Sequence, residues 1–267
     1  MIASLPMYDL PWLRSANDRL WSRLAQGLRD RGIQDVPATL HRGGDLEDDW
    51  TSPSLLLGQT CGYPLVTQLR ETVQLVATPH YDAEGCEGPF HRAAIVVRRD
   101  DPARSLHGLR GKRAGVNGAH SNSGMNLFRA AIAAIADGPQ FFGSVTITGS
   151  HVRSVSAILS GRVDVASIDA VTLALLRDRY PRHADEIRVL DWTAASPSLP
   201  LITSAHSPHA IVTALRDELE DLPGDPDARA TFGPQRITGF STLQLADYRP
   251  ILAIEQQAIE RGYPVLR

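Results

Sequence analysis

What this chain lacks narrows its class before any motif is read. Its 267 residues include only two cysteines, Cys61 and Cys86, too few for a disulfide framework, and CGY and GCE lack metal-finger spacing. They leave room for a single bridge in an oxidising compartment. There is no excess of one charge either. Against 30 acidic residues stand 27 lysines and arginines, spread along the chain, so no basic face for nucleic acid and no polybasic membrane patch is expected. No run approaches the roughly 20 apolar residues of a membrane-spanning helix. The opening MIASLPMYD is not the basic, then apolar start of a secretory signal. The expectation is a cytoplasmic protein as written, or a periplasmic one if a leader was removed.

Catalytic signatures are missing as well. No Gly-Lys-Ser or Gly-Lys-Thr follows a glycine-rich turn, no three spaced glycines open a helix, and there is neither a nucleophile elbow nor a paired-histidine zinc helix. His206 and His209 in HSPH have a weak metal spacing that suits a surface loop. Neither a cofactor nor a metal is therefore expected. Repeats and low-complexity tracts are absent too.

What is present is enough for a substantial core, with 43% hydrophobic and 21% charged residues at a length between one domain and two. Strands and helices alternate throughout. Strands are expected at Ile2 to Met7, Pro37 to His41, Leu55 to Leu57, Val73 to Thr78, Ala93 to Val97, Arg113 to Val116, Val145 to Thr148, Val163 to Ile168, Ile187 to Leu190 and Leu201 to Ser204. The spacing of Leu20, Trp21, Leu24 and Leu28 predicts a helix over Asn17 to Arg31, closed by Gly32. Two more helices, about Pro208 to Leu219 and Leu243 to Arg261, finish the chain around a polar loop.

The most informative stretch is AGVNGAHSNSGMNLFRAAIAA, Ala114 to Ala134, where a strand runs through a small polar turn into a helix. Ser121, Asn122, Ser123 and Gly124 sit where a helix start presents backbone N–H groups with no intrahelical partner. Those donors, two hydroxyls and the positive end of the helix dipole suit a phosphate-like or carboxylate group. Equally, Ser121 or Ser123 can serve as a simple helix cap. Other polar clusters also fall just after strands: Tyr8; Gln59, Thr60 and Tyr63 in GQTCGYP; Ser150 with His151; and Asp169. In open α/β sheets that edge is where ligands bind. His151 can cap or donate to an oxyanion, Asp169 can cap or accept from a ligand, and Tyr8 and Tyr63 can be half-buried aromatics or ligand contacts. His91 and Arg92 open a crossing strand, where an inward cation would matter and an outward one would not.

In order along the chain, IASLPMYD, GQTCGYPL, the GC followed by FHRAAIVVRRDDP, AHSNSGMN, TGSHVRSVSAILSGRVDVASIDAVT and LPLITS resemble the phosphate/phosphonate-binding family of ABC-transporter substrate-binding proteins. The resemblance runs from the first strand to about Ser204. It implies an α/β, two-lobed type 2 periplasmic-binding-protein fold, each lobe a mostly parallel sheet flanked by helices with a cleft between lobes. Lobe I would hold residues 1–92 and 200–267, and lobe II residues 93–199. The ligand implied is a small oxyanion of the phosphate or phosphonate class. Ser121, Asn122 and Ser123 would hold its oxygens, His151 and Asp169 would flank it, and Tyr8 and Tyr63 would close the other side. Asn122 stands where the family pattern has a hydroxyl residue, and Phe90, His91 and Arg92 stand where it has a tyrosine. An ABC-transporter permease is the partner that the resemblance brings with it, and a monomer or weak dimer is expected. The rival reading is a cytoplasmic enzyme on the same fold, like menaquinone-pathway or thiamine-pyrimidine-synthase enzymes, with Asp169 or His151 in acid/base work.

Overall fold

The computed structural model describes residues 1–224 and 232–267. Its residues divide into two compact units: Met1–Asp82, Glu87–Pro89 and Pro197–Tyr248 form the first, and Ala83–Cys86, Phe90–Ser196 and Arg249–Arg267 the second. Among the described residues no helix is long and apolar enough to cross a membrane.

In unit 1 a five-stranded sheet has the order Ile2–Ser4, Leu55–Gln59, Leu201–Ser204, Val73–Tyr81, Ile237–Ser241. The first two strands pair in parallel, Leu201–Ser204 runs antiparallel to both of its neighbours, and Ile237–Ser241 is antiparallel to Val73–Tyr81. Every residue of Leu55–Gln59 is buried, as its unbroken apolar run requires of a central strand. The helix Arg14–Asp30 lays Trp21, Leu24 and Leu28 against Leu56, Leu57 and Val76, and the helix His209–Asp221 adds Leu215 and Leu219. Gly32, at φ 83°, ends the first helix in the left-handed conformation that a glycine enters without a Cβ penalty.

Unit 2 has its own five-stranded sheet, in the order Ile187–Trp192, Ala93–Arg98, Val165–Asp169, Arg113–Val116, Ser144–Ile147. Ala93–Arg98 is antiparallel to its two neighbours, whereas the last three strands are parallel. Those three strands therefore finish along one edge. Each is followed by a helical segment: Asn122–Asn126 leading into Leu127–Ala133, His151–Leu159, and Ala170–Arg179. Phe128, Ile132, Phe141 and Phe142 fill the core beside Ala114, Val116 and Val165.

Four readings need correction. The C-terminal segment does not join lobe I: Ala258, Tyr263 and Leu266 enter the core of unit 2, and buried Arg129 ties Pro250–Glu260 and its tail down by bonding Glu255 Oε1 at 3.1 Å and the Pro264 carbonyl at 2.9 Å. Pro37 to His41 forms no strand, because the His41 N–H bond to the Ala3 carbonyl, at 2.7 Å, is not continued into a ladder and the Pro37 carbonyl accepts from the Trp21 side chain at 3.1 Å instead. Ile237–Ser241, unforeseen in the sequence, is a strand because it pairs along Thr78 to Tyr81. The expected final helix is two, Leu245–Tyr248 and Pro250–Glu260, with a proline at the first position of the second. The polar loop expected before them falls partly on residues 225–231, outside the described residues.

Candidate functional site

The three parallel strands of unit 2 bring the polar residues after them to one edge. Arg113–Val116 delivers Asn117 and then the turn Ser121 to Gly124; Ser144–Ile147 delivers Ser150 and His151; Val165–Asp169 delivers Asp169 as its last residue. Ser121 is a cap, as its Oγ accepts the Gly124 N–H at 3.1 Å. The Gly124 N–H is thereby committed within the turn. Asn122 is buried: its Nδ2 donates to Ser196 Oγ at 2.8 Å, and its Oδ1 accepts from Asn126 Nδ2 at 3.2 Å. Its amide braces the turn from inside.

Ser123 is the residue of the turn that meets a titratable group. Its side chain lies 3.0 Å from His151 Nε2, and its carbonyl accepts from Ser167 Oγ at 2.7 Å. His151 is the first residue of its helix, after Ser150 caps it by accepting the Arg153 N–H. The same Nε2 is 3.3 Å from Asn117 Nδ2. Burial pushes the His151 pKa down, against a smaller upward pull from Asp169, while the charge of His91 adds to the depression.

Asp169 caps the following helix and does more. Its Oδ1 accepts the Thr172 N–H at 2.7 Å and its Oδ2 accepts from His91 Nδ1 at 2.9 Å. Both side chains of that pair are buried. Burial alone would raise the Asp169 pKa, but the His91 bond, the charges of His91 and His151 and the Thr172 N–H hold it down at about 2. The carboxylate is thus an acceptor across the ordinary pH range, and Nδ1 of His91 carries the hydrogen. His91 Nε2 is buried without a hydrogen-bond partner. Arg92, next in sequence, is exposed and donates to the Thr193 carbonyl at 2.8 Å. Cys86 also belongs to this neighbourhood: burial, then the charge of Asp169, raises its thiol to about 12. Both cysteines are free thiols.

The unit 1 candidates form a separate set. Gln59 Nε2 donates to Tyr81 Oη at 3.2 Å, and Tyr8 packs edge-on against the Tyr81 ring at 5.4 Å. Tyr8, Gln59 and Tyr81 line a mostly apolar cavity of about 40 Å³, the space of a water molecule. Thr60 is fully buried, with its N–H on the Pro200 carbonyl, and Tyr63 sits half-buried on the short helix Gly62–Pro64. Among the described residues no three His, Cys, Asp or Glu side chains gather as a metal site.

Sequence reasoning missed Asn117, Tyr81, Ser167 and Ser196. Asn117 directly follows a strand, the same signal that singled out the other clusters. Tyr81 ends the long strand Val73–Tyr81, three residues beyond its expected end. Ser167 and Ser196 carry no sequence signal, since their roles arise only from contact with Ser123 and Asn122.

No curated protein matches the chain. Among solved structures, a binding protein component of an ABC phosphonate transporter (PA3383) from Pseudomonas aeruginosa superposes with a TM-score of 0.77 at 15% identity, over 98% of this chain and 87% of that one. PhnD1 from Prochlorococcus marinus, in complex with methylphosphonate, gives 0.75 at 12% identity over 97% of each chain. XAC2383 from Xanthomonas citri, bound to ATP, gives 0.69 at 17% identity over 98% of each. These likenesses establish the α/β, periplasmic-binding-protein type of fold. A family model described as ABC transporter, phosphonate, periplasmic substrate-binding protein matches residues 56–248, most of the chain. Its members are periplasmic components of importers, which leaves both the cytoplasmic reading and the enzyme alternative without support. The chain belongs to the family of phosphonate-binding periplasmic substrate-binding proteins of ABC transporters.

Proposed function

We propose that this protein captures a small phosphonate or phosphate-type oxyanion at the strand-end edge of unit 2 and hands it to an ABC-transporter permease. The observation that carries the reading is the Ser123–His151 pair at 3.0 Å, set where one helical segment begins and at the first residue of the next. Two helix starts supply positive dipole ends, and Ser123 and His151 supply polar hydrogens. Asn122 shapes the turn through Ser196, while the His91–Asp169 pair adds a buried acceptor, Asp169, and a buried ring nitrogen, His91 Nε2. Ser121 and Gly124 contribute through turn geometry, since they bond each other. Arg92, in the same unit, is assigned a supporting role in selectivity. The protein works as a monomer or weak dimer on the periplasmic side.

Calorimetric titration with methylphosphonate, phosphate, sulfate and ATP tests this. Methylphosphonate or phosphate is expected to bind, and Ser123→Ala and His151→Ala each to weaken binding about tenfold or more, as loss of a charge-assisted hydrogen bond implies. Binding that both variants leave unchanged would move the site away from this turn.

A further inference from the structure

His91 has one ring nitrogen in use and one idle. Nδ1 lies 2.9 Å from Asp169 Oδ2, and both side chains are buried. That contact fixes the ring, since turning it over would set a carbon against the carboxylate and lose the bond. An ionised carboxylate only accepts, so the hydrogen of this bond belongs to Nδ1. In the neutral ring Nε2 is then an acceptor. It is buried and has no hydrogen-bond partner among the described residues. A buried acceptor without a donor is costly, so a ligand hydrogen that reached it would gain what the protein alone leaves unmet.

The strands place His91 beside the serine turn. Ser167 and Asp169 are two residues apart on one strand, so their side chains share a face. On that face Ser167 Oγ donates to the Ser123 carbonyl. Asn122, next in the turn, bonds Ser196, which opens a short strand paired with Phe90–His91. The turn is thereby tied to both strands that carry the His91–Asp169 pair. The titratable groups around His91 are Asp169 on Nδ1, His151 at the head of its helix, where the charge of His91 is felt, and Cys86 in the strand on the other side, a thiol raised to about 12. Glu87, after Cys86, is exposed, and Arg92 is exposed on the Thr193 carbonyl.

Resting on the oxyanion reading above, we infer that His91 sets the class of ligand: the site takes an oxyanion that carries a hydrogen, a monoprotonated phosphonate or a hydrogen phosphate, whose O–H donates to His91 Nε2. Asp169 holds the ring hydrogen on Nδ1 and so keeps Nε2 an acceptor. A fully ionised oxyanion such as sulfate presents only lone pairs at that nitrogen and loses the bond. Binding then follows the ligand's own proton, so affinity for a phosphonate falls as pH rises through its last ionisation.

Calorimetric titration of the full chain with methylphosphonate, phosphate and sulfate, at about pH 7 and about pH 9, tests this. Over that range methylphosphonate loses its last proton, phosphate keeps one, and sulfate has none at either end. His151, depressed by burial, is neutral at both. The wild type is expected to bind methylphosphonate about tenfold more weakly at the higher pH, to change much less with phosphate, and to bind sulfate at least about tenfold more weakly than phosphate at both. His91→Asn keeps an N–H for Asp169 but ends short of the place of Nε2. It is expected to melt near the wild type, to bind phosphate about tenfold more weakly and to lose the preference over sulfate. Methylphosphonate bound as tightly at pH 9 as at pH 7, or sulfate bound by the wild type as tightly as phosphate, overturns the role of His91 while the oxyanion reading stands. A folded His91→Asn protein with the wild-type preference overturns it as well. A wild type that binds none of the three overturns both.

Discussion

Asp169 shows how one side chain ties two elements together. It caps a helix through Thr172 and holds His91 through the other oxygen, so the cap open in the sequence is made, while its part in ligand binding belongs to the proposal. Ser121, by contrast, is spent on its turn. The low pKa of Asp169 has a stability consequence whose sign is definite. The folded value of about 2 lies below the ordinary carboxylate value near 3.8, so the stabilisation is complete above about pH 4 and is lost as pH falls through 2. It amounts to about 2 kcal/mol. Asp169→Asn is expected to remove it and to flatten that part of a chemical-denaturation series between pH 5 and 2. His151 is depressed instead, so the unfolded chain takes up its proton first and stability declines as pH drops below about 6.5. His151→Gln is expected to reduce that decline, as read from the same series. Cys86, raised to about 12, stays a thiol at neutral pH. Brief iodoacetamide treatment at pH 7.5 followed by peptide mass spectrometry is expected to leave it largely unmodified, and modification at a normal thiol rate would contradict the half-buried, anion-facing environment.

At the scale of elements, the turn-plus-helix from Asn122 was foreseen, but its buried face was not. The sequence suggests Leu127, Ala130, Ala131 and Ala134 as the apolar stripe; the buried face holds Leu127, Phe128, Ile132 and Ala133, with Arg129 also inside. The opening turn over Asn122–Asn126 is a wider π turn, closed by the Asn126 N–H on the Ser121 carbonyl five residues back, so it advances less per residue than the regular period that single-sequence periodicity assumes. Arg129 inside a core is legible only with its partners, Glu255, Asn126 and the Pro264 carbonyl. Arg129→Ala removes the guanidinium's bonds to Glu255, Asn126 and the Pro264 carbonyl and empties a buried site, and is expected to cost about 3 kcal/mol by denaturant titration. Gly124→Ala separates structure from binding. The added methyl strikes the tip of the Asn117 side chain, which can move aside, so stability should change by less than about 1 kcal/mol while oxyanion affinity falls. Thermal melting and calorimetry on the one variant read both quantities.

For the whole molecule, two five-stranded sheets with separate cores account for the length lying between one domain and two. Trp21, fully buried between helix and sheet in unit 1, is the largest anchor of its core, and Trp21→Ala is expected to cost about 3–5 kcal/mol. Its denaturation curve beside that of Arg129→Ala in unit 2 shows whether the units unfold together, since a single coincident transition in both variants means coupling. The strand–helix alternation, the strands Arg113–Val116 and Leu201–Ser204, the polar clusters at strand ends and the family itself were determined by the sequence alone. Local periodicity, turn chemistry and ordered motifs are properties of neighbouring residues. Tertiary structure alone decided that the C-terminal helix closes the core of unit 2, that Ile237–Ser241 is a strand, that His91 meets Asp169 across 78 positions, and that Asn117 shares the nitrogen of His151 with Ser123. Those pairings depend on which strands lie side by side and which ends face one edge, and spacing along the chain carries no record of either.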